Sequence, residues 1–534
     1  MKKYIYLAFI ASLQLSNARA QSVPTLAADL QTGVGGSNCS GLTTLGTDLY
    51  LHESGNTVNR IWKYATATGA VTDVSNTAIT TQITDWAPMV VAGGKVFYSA
   101  SALLPDPSGF GLTLTGPFLW QYTPGGGTIP YTDTGTSMFV DNSAVVGGKT
   151  YFLGSSLSPA IIGTGSEVLN GLFYFDATGV VHLAHDFALD NIASEQIISC
   201  DQLVAANNKL YFTLTTWATP SVYQELCSYD PATSTTTVIN YFSLAGVESP
   251  SMSSLYAGND NNIYYSATTT ADGRELYQYK PATNTTTKLT SLNASSDGLS
   301  TYGGLSIPYS IMPSAQLATL GGYIYFAGCD GLHGFDLMRL KLADNTTSLV
   351  KDINPSTNSS HPIEFILFNS KLYFSADDGT HGRELWVTDG TTTTMVADTN
   401  PGTGDSNPHY FAISNGILYF DADNGTSGAE LYKLGATSSG SGVAAVSQVN
   451  DVSVYPNPAG NQFNVSIDMK NDATITFKLT DVTGKQLYAS QPHDCKAGVS
   501  LITVPFKEYA AGIYQYTVYS SNGAMIASGK VSHN

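Results

Sequence analysis

Apolar and polar residues alternate along most of this chain with a period of two, the spacing of half-buried strands rather than of helices. One phrase returns eight times, a short apolar run holding paired aromatics or a bulky neighbour: Leu49-Tyr50-Leu51, Val96-Phe97-Tyr98, Thr150-Tyr151-Phe152, Leu210-Tyr211-Phe212, Ile263-Tyr264-Tyr265, Ile324-Tyr325-Phe326, Leu372-Tyr373-Phe374 and Leu418-Tyr419-Phe420. The first aromatic advances by 47, 54, 60, 53, 61, 48 and 46 residues. A second run follows each copy, from Ile61-Trp62-Lys63-Tyr64 in the first to Leu431-Tyr432-Lys433-Leu434 in the last. In the clearest unit the pattern predicts strands over Phe365–Phe368, Leu372–Ala376, Glu384–Thr388 and Thr394–Ala397.

Four antiparallel strands in a unit of roughly 40 to 50 residues is the arithmetic of a β-propeller blade. The ends of the array sharpen the expectation. The last unit stops after its third strand, whereas Thr25-Leu26-Ala27-Ala28-Asp29-Leu30 matches Thr394-Met395-Val396-Ala397-Asp398-Thr399, the fourth strand of the seventh unit. Pairing the N-terminal strand into the last blade closes the ring and removes an exposed edge. The reading is an all-β chain: an eight-bladed propeller over residues 21–435, seven blades being the alternative, closed by its N-terminal strand.

The flanks read differently. Lys2 and Lys3 precede an apolar run from Tyr4 to Leu15, and Ala18-Arg19-Ala20 has a signal-peptidase form, so residues 1–20 read as a cleaved secretory signal peptide. The apolar run is too short to span a bilayer, which needs roughly 20 residues, and no later run is longer, so no transmembrane segment is expected. Residues 436–448 are a Gly/Ser-rich linker. Beyond it, seven short strand runs between Val452 and Val531 suggest a small Ig-like β-sandwich over residues 449–534.

Composition narrows the partners. Only 12% of the 534 residues are charged and the formal net charge is -18. A polyanion meets repulsion and no Lys/Arg cluster, so nucleic acid is excluded as a partner. Five cysteines, Cys39, Cys200, Cys227, Cys329 and Cys495, leave an odd thiol. Cys200 and Cys227 fall on the first and third strands of one unit, about 9 to 10 Å apart across a strand, beyond the roughly 7 Å a disulfide tolerates. No disulfide framework is expected.

Two resemblances follow from these motifs. Glu384-Leu385-Trp386-Val387-Thr388-Asp389-Gly390-Thr391 resembles the ELWxxDGT repeat of secreted and surface bacterial proteins, with partial copies at Gly273-Arg274-Glu275-Leu276-Tyr277 and Gly428-Ala429-Glu430-Leu431-Tyr432. Val454-Tyr455-Pro456-Asn457-Pro458, Asp481-Val482-Thr483-Gly484-Lys485 and Ala511-Gly512-Ile513-Tyr514, with Lys530 near the end, resemble the type A C-terminal sorting domain of the type IX secretion system of Bacteroidetes. That resemblance implies the type IX machinery as a partner, engaged through Tyr455, Pro456, Asn457, Pro458, Gly484, Gly512 and their neighbours. It also implies a secreted or outer-surface location.

Candidate chemistry comes last, because the repeat absorbs most of it. In a meander of antiparallel strands, the loops between second and third strands share a face with the connections between blades, and that face carries the long, varied loops. Asp377, Asp378, Asp421 and Asp423 sit beside Gly bends and offer the hard oxygens that calcium takes. The same residue types stabilise turns unaided, and no full calcium-loop series is present. Calcium is therefore the one cofactor considered, and turn chemistry the favoured reading. Glu225, Glu275, Glu384 and Glu430 open the third strand of four units, as expected of groups that serve the ring. Trp86, Phe110 and Trp217 fall outside the repeating strand positions and are the candidate ligand contacts, since aromatic rings stack on sugars or anchor proteins. The favoured function is a noncatalytic surface propeller that binds a glycan or a surface protein, with no catalytic residues. The alternative is a polysaccharide hydrolase or lyase using unrepeated acids such as Asp106, Glu167 and Glu195.

Overall fold

The computed structural model describes residues 23–30, 36–54, 59–75, 89–105, 112–131, 139–156, 168–187, 196–218, 221–243, 252–269, 273–292, 317–330, 332–355, 357–435, 449–455, 462–469, 472–480, 486–496, 498–510, 512–520 and 525–533. These residues form strands joined by turns, with no α-helix among them. The chain divides into two compact units, Met1–Thr437 and Ser438–Asn534.

The first unit is propeller-like. Among the described residues it contains eight antiparallel sheets of four strands. In chain order they run 39–73, 90–130, 139–186, 196–243, 252–288, 318–351 and 363–397, and the eighth combines 409–434 with Thr25–Ala28. Each is a simple meander. The seventh consists of Ile363–Phe368, Lys371–Asp377, Arg383–Thr388 and Thr393–Ala397, within a few residues of the strands that alternation predicts. The eighth takes its fourth strand from the other end of the chain: Thr25 lies opposite Lys433 and Leu26 opposite Tyr432.

Alternation explains how the sheets stack. Neighbouring residues on a strand point to opposite faces, so Leu372, Phe374 and Ala376 pack against the sixth sheet, while Tyr373 packs against the eighth. Every consecutive pair of sheets shares such a core, and the eighth shares one with the first through Ala412, Tyr419 and Leu431 against Leu49, Leu51 and Tyr64. Aromatic pairs recur along these seams, joining the second strand of one sheet to the third of the next: Tyr50 with Tyr122, Phe97 with Phe175, Tyr151 with Tyr229, Tyr211 with Tyr279, and Tyr419 with Tyr64, at centroid separations of 4.2 to 6.3 Å. Pairs of this geometry contribute about 0.5–1.5 kcal/mol each beyond the area they bury.

The second unit has two sheets around one core. Val449–Tyr455, Gln462–Met469 and Gly498–Pro505 form one; Gln486–Ala489, Ala473–Thr480, Gly512–Ser520 and Met525–His533 form the other, with His493–Cys495 paired on Ala473–Ile475. Phe463, Val465, Ile475, Phe477, Val504, Phe506 and Val518 are buried between them. None of the five cysteines is in a disulfide; Cys200 lies on the first strand of its sheet and Cys227 on the third.

Candidate binding face

The acids that open the third strands hold the chain where it passes from one sheet to the next. Glu384 accepts hydrogen bonds from the backbone N–H of Thr399 and Asn400 and from the Ser406 hydroxyl, at 3.0, 3.2 and 2.7 Å. Glu430 repeats the arrangement with Leu30 N–H, Ser37 N–H and the Ser37 hydroxyl. In the sixth sheet Asp336 does so with Ile353, Asn354 and Ser360. Burial raises all three carboxyls above the ordinary range, more than these donors lower them. The sequence marks these positions by their repetition, and the repetition is structural.

The hairpins between second and third strands lie beside these connections: Arg383 N–H donates to Asp405 Oδ1 at 2.7 Å, and Asp423 N–H donates to the Ser406 carbonyl. In three consecutive sheets the hairpin is one device. Asp378 Oδ1 accepts from the N–H groups of Thr380 and His381, and Oδ2 meets His381 Nδ1 at 2.8 Å. Asp330 does the same with Leu332 and His333. Asn424 does so with Thr426 and Ser427. Burial alone pushes Asp378 up, but the bonds from His381 and the two backbone N–H groups outweigh it, so its carboxyl sits below the usual range. The same bond raises His381.

The four acids considered for calcium are placed as follows. Asp377 ends a strand and accepts from Gly379 N–H; Asp378 caps its turn; Asp423 ends a strand and accepts from Gly425 N–H. Asp421 is not in a turn. It lies inside the strand Ile417–Asp423, buried, and accepts from Cys39 N–H of the first sheet at 3.0 Å. The strand runs two residues further than a turn reading allows because Asp421 pairs in register with Leu431. Among the described residues no group of three or more His, Cys, Asp or Glu is arranged to hold a metal ion.

Sequence reasoning missed a second feature, on the first strands. These approach one another from sheet to sheet and so line the inside of the arrangement. Five carry a residue with positive φ at one equivalent bulge: Gly41, Gln202, Ser254, Glu364 and Tyr410. The side chain then reaches the next strand. Gln202 donates to the Met252 carbonyl at 3.1 Å and accepts from Leu255 N–H at 2.7 Å. Glu364 accepts from Tyr410 N–H, and burial pushes its carboxyl up to about 7. Only Gly41 announces such a position by residue type.

Of the aromatic candidates, Trp86 and Phe110 lie outside the described residues, as do Asp106, Glu167 and Glu195. Trp217 is not in the loop that the repeat predicts. It belongs to the strand Lys209–Ala218, opposite Gln196 and Val222. The correction has a simple cause: the Thr-rich alternation around it continues the ladder. Nine rows join Leu210–Ala218 to Ser221–Tyr229, against six in the seventh sheet. The second sheet is longer still, with Lys95–Pro105 paired to Leu112–Thr123. In the C-terminal unit, Tyr455 ends its strand and Gly512, itself exposed, begins another; Pro456, Asn457, Pro458 and Gly484 lie outside the described residues, like residues 1–20 and 436–448.

With this geometry established, comparison with known proteins identifies one end of the chain. Residues 453–530 match the family described as "Secretion system C-terminal sorting domain". Its C-terminal segment is thus a sorting domain of the type IX secretion system. The sorting domain directs the chain to the cell surface or the extracellular space. No helix among the described residues is long and apolar enough to cross a membrane. No curated protein matches the chain. Among solved structures, it is similar to PorZ, a bacterial surface component of the type IX secretion system of Porphyromonas gingivalis, at 14% identity and a TM-score of 0.39, over 92% of this chain and 64% of that one. It is also similar to a puromycin hydrolase, at 12% identity and a TM-score of 0.43, over 75% and 61%. A third is an oligogalacturonate lyase in complex with manganese, at 11% identity and a TM-score of 0.35, over 71% and 94%. The chain thus spans about three fifths of the length of the first two of these that it matches along most of its own, by the shares of 64% and 61%.

Proposed function

We propose that the secreted cargo is an eight-bladed propeller of ELWxxDGT type, delivered by an N-terminal signal peptide and an Ig-like sorting domain. It works as a noncatalytic module that binds a glycan or a surface protein. One observation carries this reading: the acids repeated around the first unit are consumed in holding it together. Glu384, Glu430 and Asp336 each accept three hydrogen bonds from the connection they fasten, and Asp377, Asp378 and Asp423 accept from their own turns. A carboxylate so engaged is a poor acid or base for a substrate. What varies from sheet to sheet is hairpin length and residue type, on a constant scaffold, which suits recognition. The test is incubation of the purified chain with a panel of soluble and insoluble polysaccharides and with isolated outer-surface proteins, measuring retention and reducing ends in the same samples. Retention without release supports the proposal; release of reducing ends overturns it in favour of a hydrolase or lyase.

A further inference from the structure

The two faces of the first unit differ in charge. The turns between first and second strands, and between third and fourth, emerge opposite the hairpins, and all of them lie among the described residues. They bond to one another from sheet to sheet: Asn207 Nδ2 donates to the Asn261 carbonyl at 2.8 Å, Asn415 Nδ2 to the Thr66 hydroxyl at 2.6 Å, and the Ser414 hydroxyl to the Thr47 carbonyl at 2.7 Å. The turns therefore form one continuous surface. Several of its tips are glycine pairs, low and open: a Cβ on Gly94, Gly147, Gly148, Gly321 or Gly322 would meet nothing within 4 Å.

Basic residues gather on this surface. Lys95, Lys149, Lys209 and Lys371 occupy one equivalent position, the first residue of the second strand, in four of the eight sheets. Lys63, Lys280, Arg339, Lys341 and Lys433 lie near the ends of third strands on the same side. The acids here are fewer and are engaged. Asp48, Asp230 and Asp344 pair with Lys63, Lys209 and Lys341 at 2.7 to 3.2 Å, while Asp176, Asp260 and Asp389 accept backbone N–H groups of their own turns. Nine positive side chains thus stand against six negative ones, in a chain whose formal net charge is -18. The hairpin side reverses the balance: between residues 23 and 435 it keeps only Arg60, Arg274, Lys288, Lys351 and Arg383, among the bulk of the acids. Strands of six or seven residues, at about 3.4 Å each, separate the two faces by roughly 20 Å. That exceeds two Debye lengths of about 8 Å at physiological salt, so the acidic face does not cancel the basic one.

Exposed apolar side chains share the basic surface. Val145, Leu367 and Ile413, which are 63%, 46% and 40% exposed, are each the penultimate residue of a first strand, one row from the lysine position. Val71 and Val180 are exposed beside turns between third and fourth strands. Lysines around exposed aliphatic groups suit an anionic membrane: the charges draw the surface to the head groups, and the apolar groups enter the interface. An acidic protein or a soluble polyanion would use the lysines and leave the aliphatic groups in water. The sorting domain directs the chain to the cell surface or beyond it, where a lipid leaflet is within reach.

We infer that the turn face of the first unit is a docking surface for an anionic lipid membrane, and that docking there holds the hairpin face outward. This goes beyond the binding function proposed above, which concerns the opposite face. The experiment measures cosedimentation of the chain as secreted with vesicles of phosphatidylcholine alone and of phosphatidylcholine mixed with phosphatidylglycerol, at low and high salt. Three variants accompany it: Lys95→Gln, Lys149→Gln and Lys371→Gln combined; Val145→Ser with Leu367→Ser; and, as a control on the hairpin side, Lys288→Gln with Lys351→Gln. Circular dichroism verifies that each variant folds. A Lys near an anionic membrane gains about 1 kcal/mol, which is about fivefold in binding. The expected result is binding to the mixed vesicles only, weakened by salt, reduced about a hundredfold by the triple lysine variant, reduced about threefold or more by the apolar pair, and unchanged by the control. Equal binding to both kinds of vesicle, no binding to the mixed ones at low salt, or binding that the folded triple variant retains overturns the inference. So does an equal loss in the control. A loss in the triple variant with none in the apolar pair overturns the lipid in favour of bare charge. Sedimentation without vesicles that the triple variant abolishes overturns it in favour of a second copy, basic face on acidic face. The polysaccharide test of the proposed function reads the other face and stands or falls separately.

Discussion

The hydroxyl of Ser406 donates to Oε2 of Glu384 at 2.7 Å, so the carboxylate that opens a strand of the seventh sheet holds the chain as it enters the eighth. Three donors depend on that carboxylate, two of them backbone N–H groups. Leaving a buried donor without a partner costs about 1–3 kcal/mol. Glu384→Ala is expected to lower stability by about 3 kcal/mol or more in urea titrations, and Ser406→Ala by about 1 kcal/mol. A loss below about 1 kcal/mol for Glu384→Ala would show that the connection holds itself.

The same carboxyls set a pH dependence. Burial raises Asp336, Glu384 and Glu430 above their ordinary values, so the folded state binds their protons more tightly than the unfolded one. Their contribution is fullest below the unfolded value of about 4 and declines as pH rises from there through the folded value. Glu384→Gln is expected to flatten that decline, as read from urea midpoints at successive pH values.

His52 acts in the opposite sense. It is fully buried between the first and second sheets, edge-on to Tyr98, and neither ring nitrogen has a partner among the described residues. Burial lowers it to about 3, so the fold holds the neutral ring. Its contribution is present above the unfolded value of about 6.5 and lost as pH falls from there towards 3. His52→Phe should raise the melting temperature at pH 5 more than at pH 8. Equal shifts at both would assign the gain to packing alone.

Two adjacent glycines separate backbone strain from crowding. Both Gly93 and Gly94 have positive φ, but a Cβ on Gly93 would stand 2.4 Å from the nitrogen of Gly179 in the third sheet, whereas one on Gly94 meets nothing within 4 Å. Gly94→Ala is expected to cost about 1 kcal/mol. Gly93→Ala should cost at least about 2 kcal/mol, because the clash with the neighbouring turn adds to the strain. Equal midpoints for the two variants would mean that the third sheet moves aside freely.

The N-terminal strand can be removed outright. Deleting residues 23–30 takes away the partner of Ala429–Leu434 and bares a strand edge. The expected result is a lower melting temperature together with concentration-dependent aggregation in size-exclusion chromatography. A monodisperse, equally stable deletion would show that closure is dispensable.

Much of the fold was legible because the core speaks in a period of two. Tyr373 between Leu372 and Phe374 marks a strand whichever sheet it faces, and the match of Thr25–Leu30 to Thr394–Thr399 placed a strand across the whole length of the chain. The repeated Glu384 and Glu430 were legible as scaffolding for a similar reason: a residue that recurs from unit to unit serves what those units share. What stayed hidden depends on conformation rather than on residue type. Glu364 and Tyr410 sit at positive φ, a state that their side chains do not advertise. Trp217 was misplaced because a ladder that runs three rows longer looks, by spacing alone, like a loop. The bond from Cys39 N–H to Asp421 joins residues 382 positions apart, across a seam that no local pattern describes.

The closing strand also governs when this protein becomes itself. Leu30 N–H finds Glu430 at a separation of 400 positions, so the strand Thr25–Ala28 waits for almost the last residues of its unit. Contacts of such range make folding slow, since the entropy of closing the loop comes before any reward. Until residue 434 has emerged, the growing chain is a stack of finished sheets with two raw ends. The native state of this unit therefore waits for that residue, and until then a bare strand edge is open to pairing with other chains.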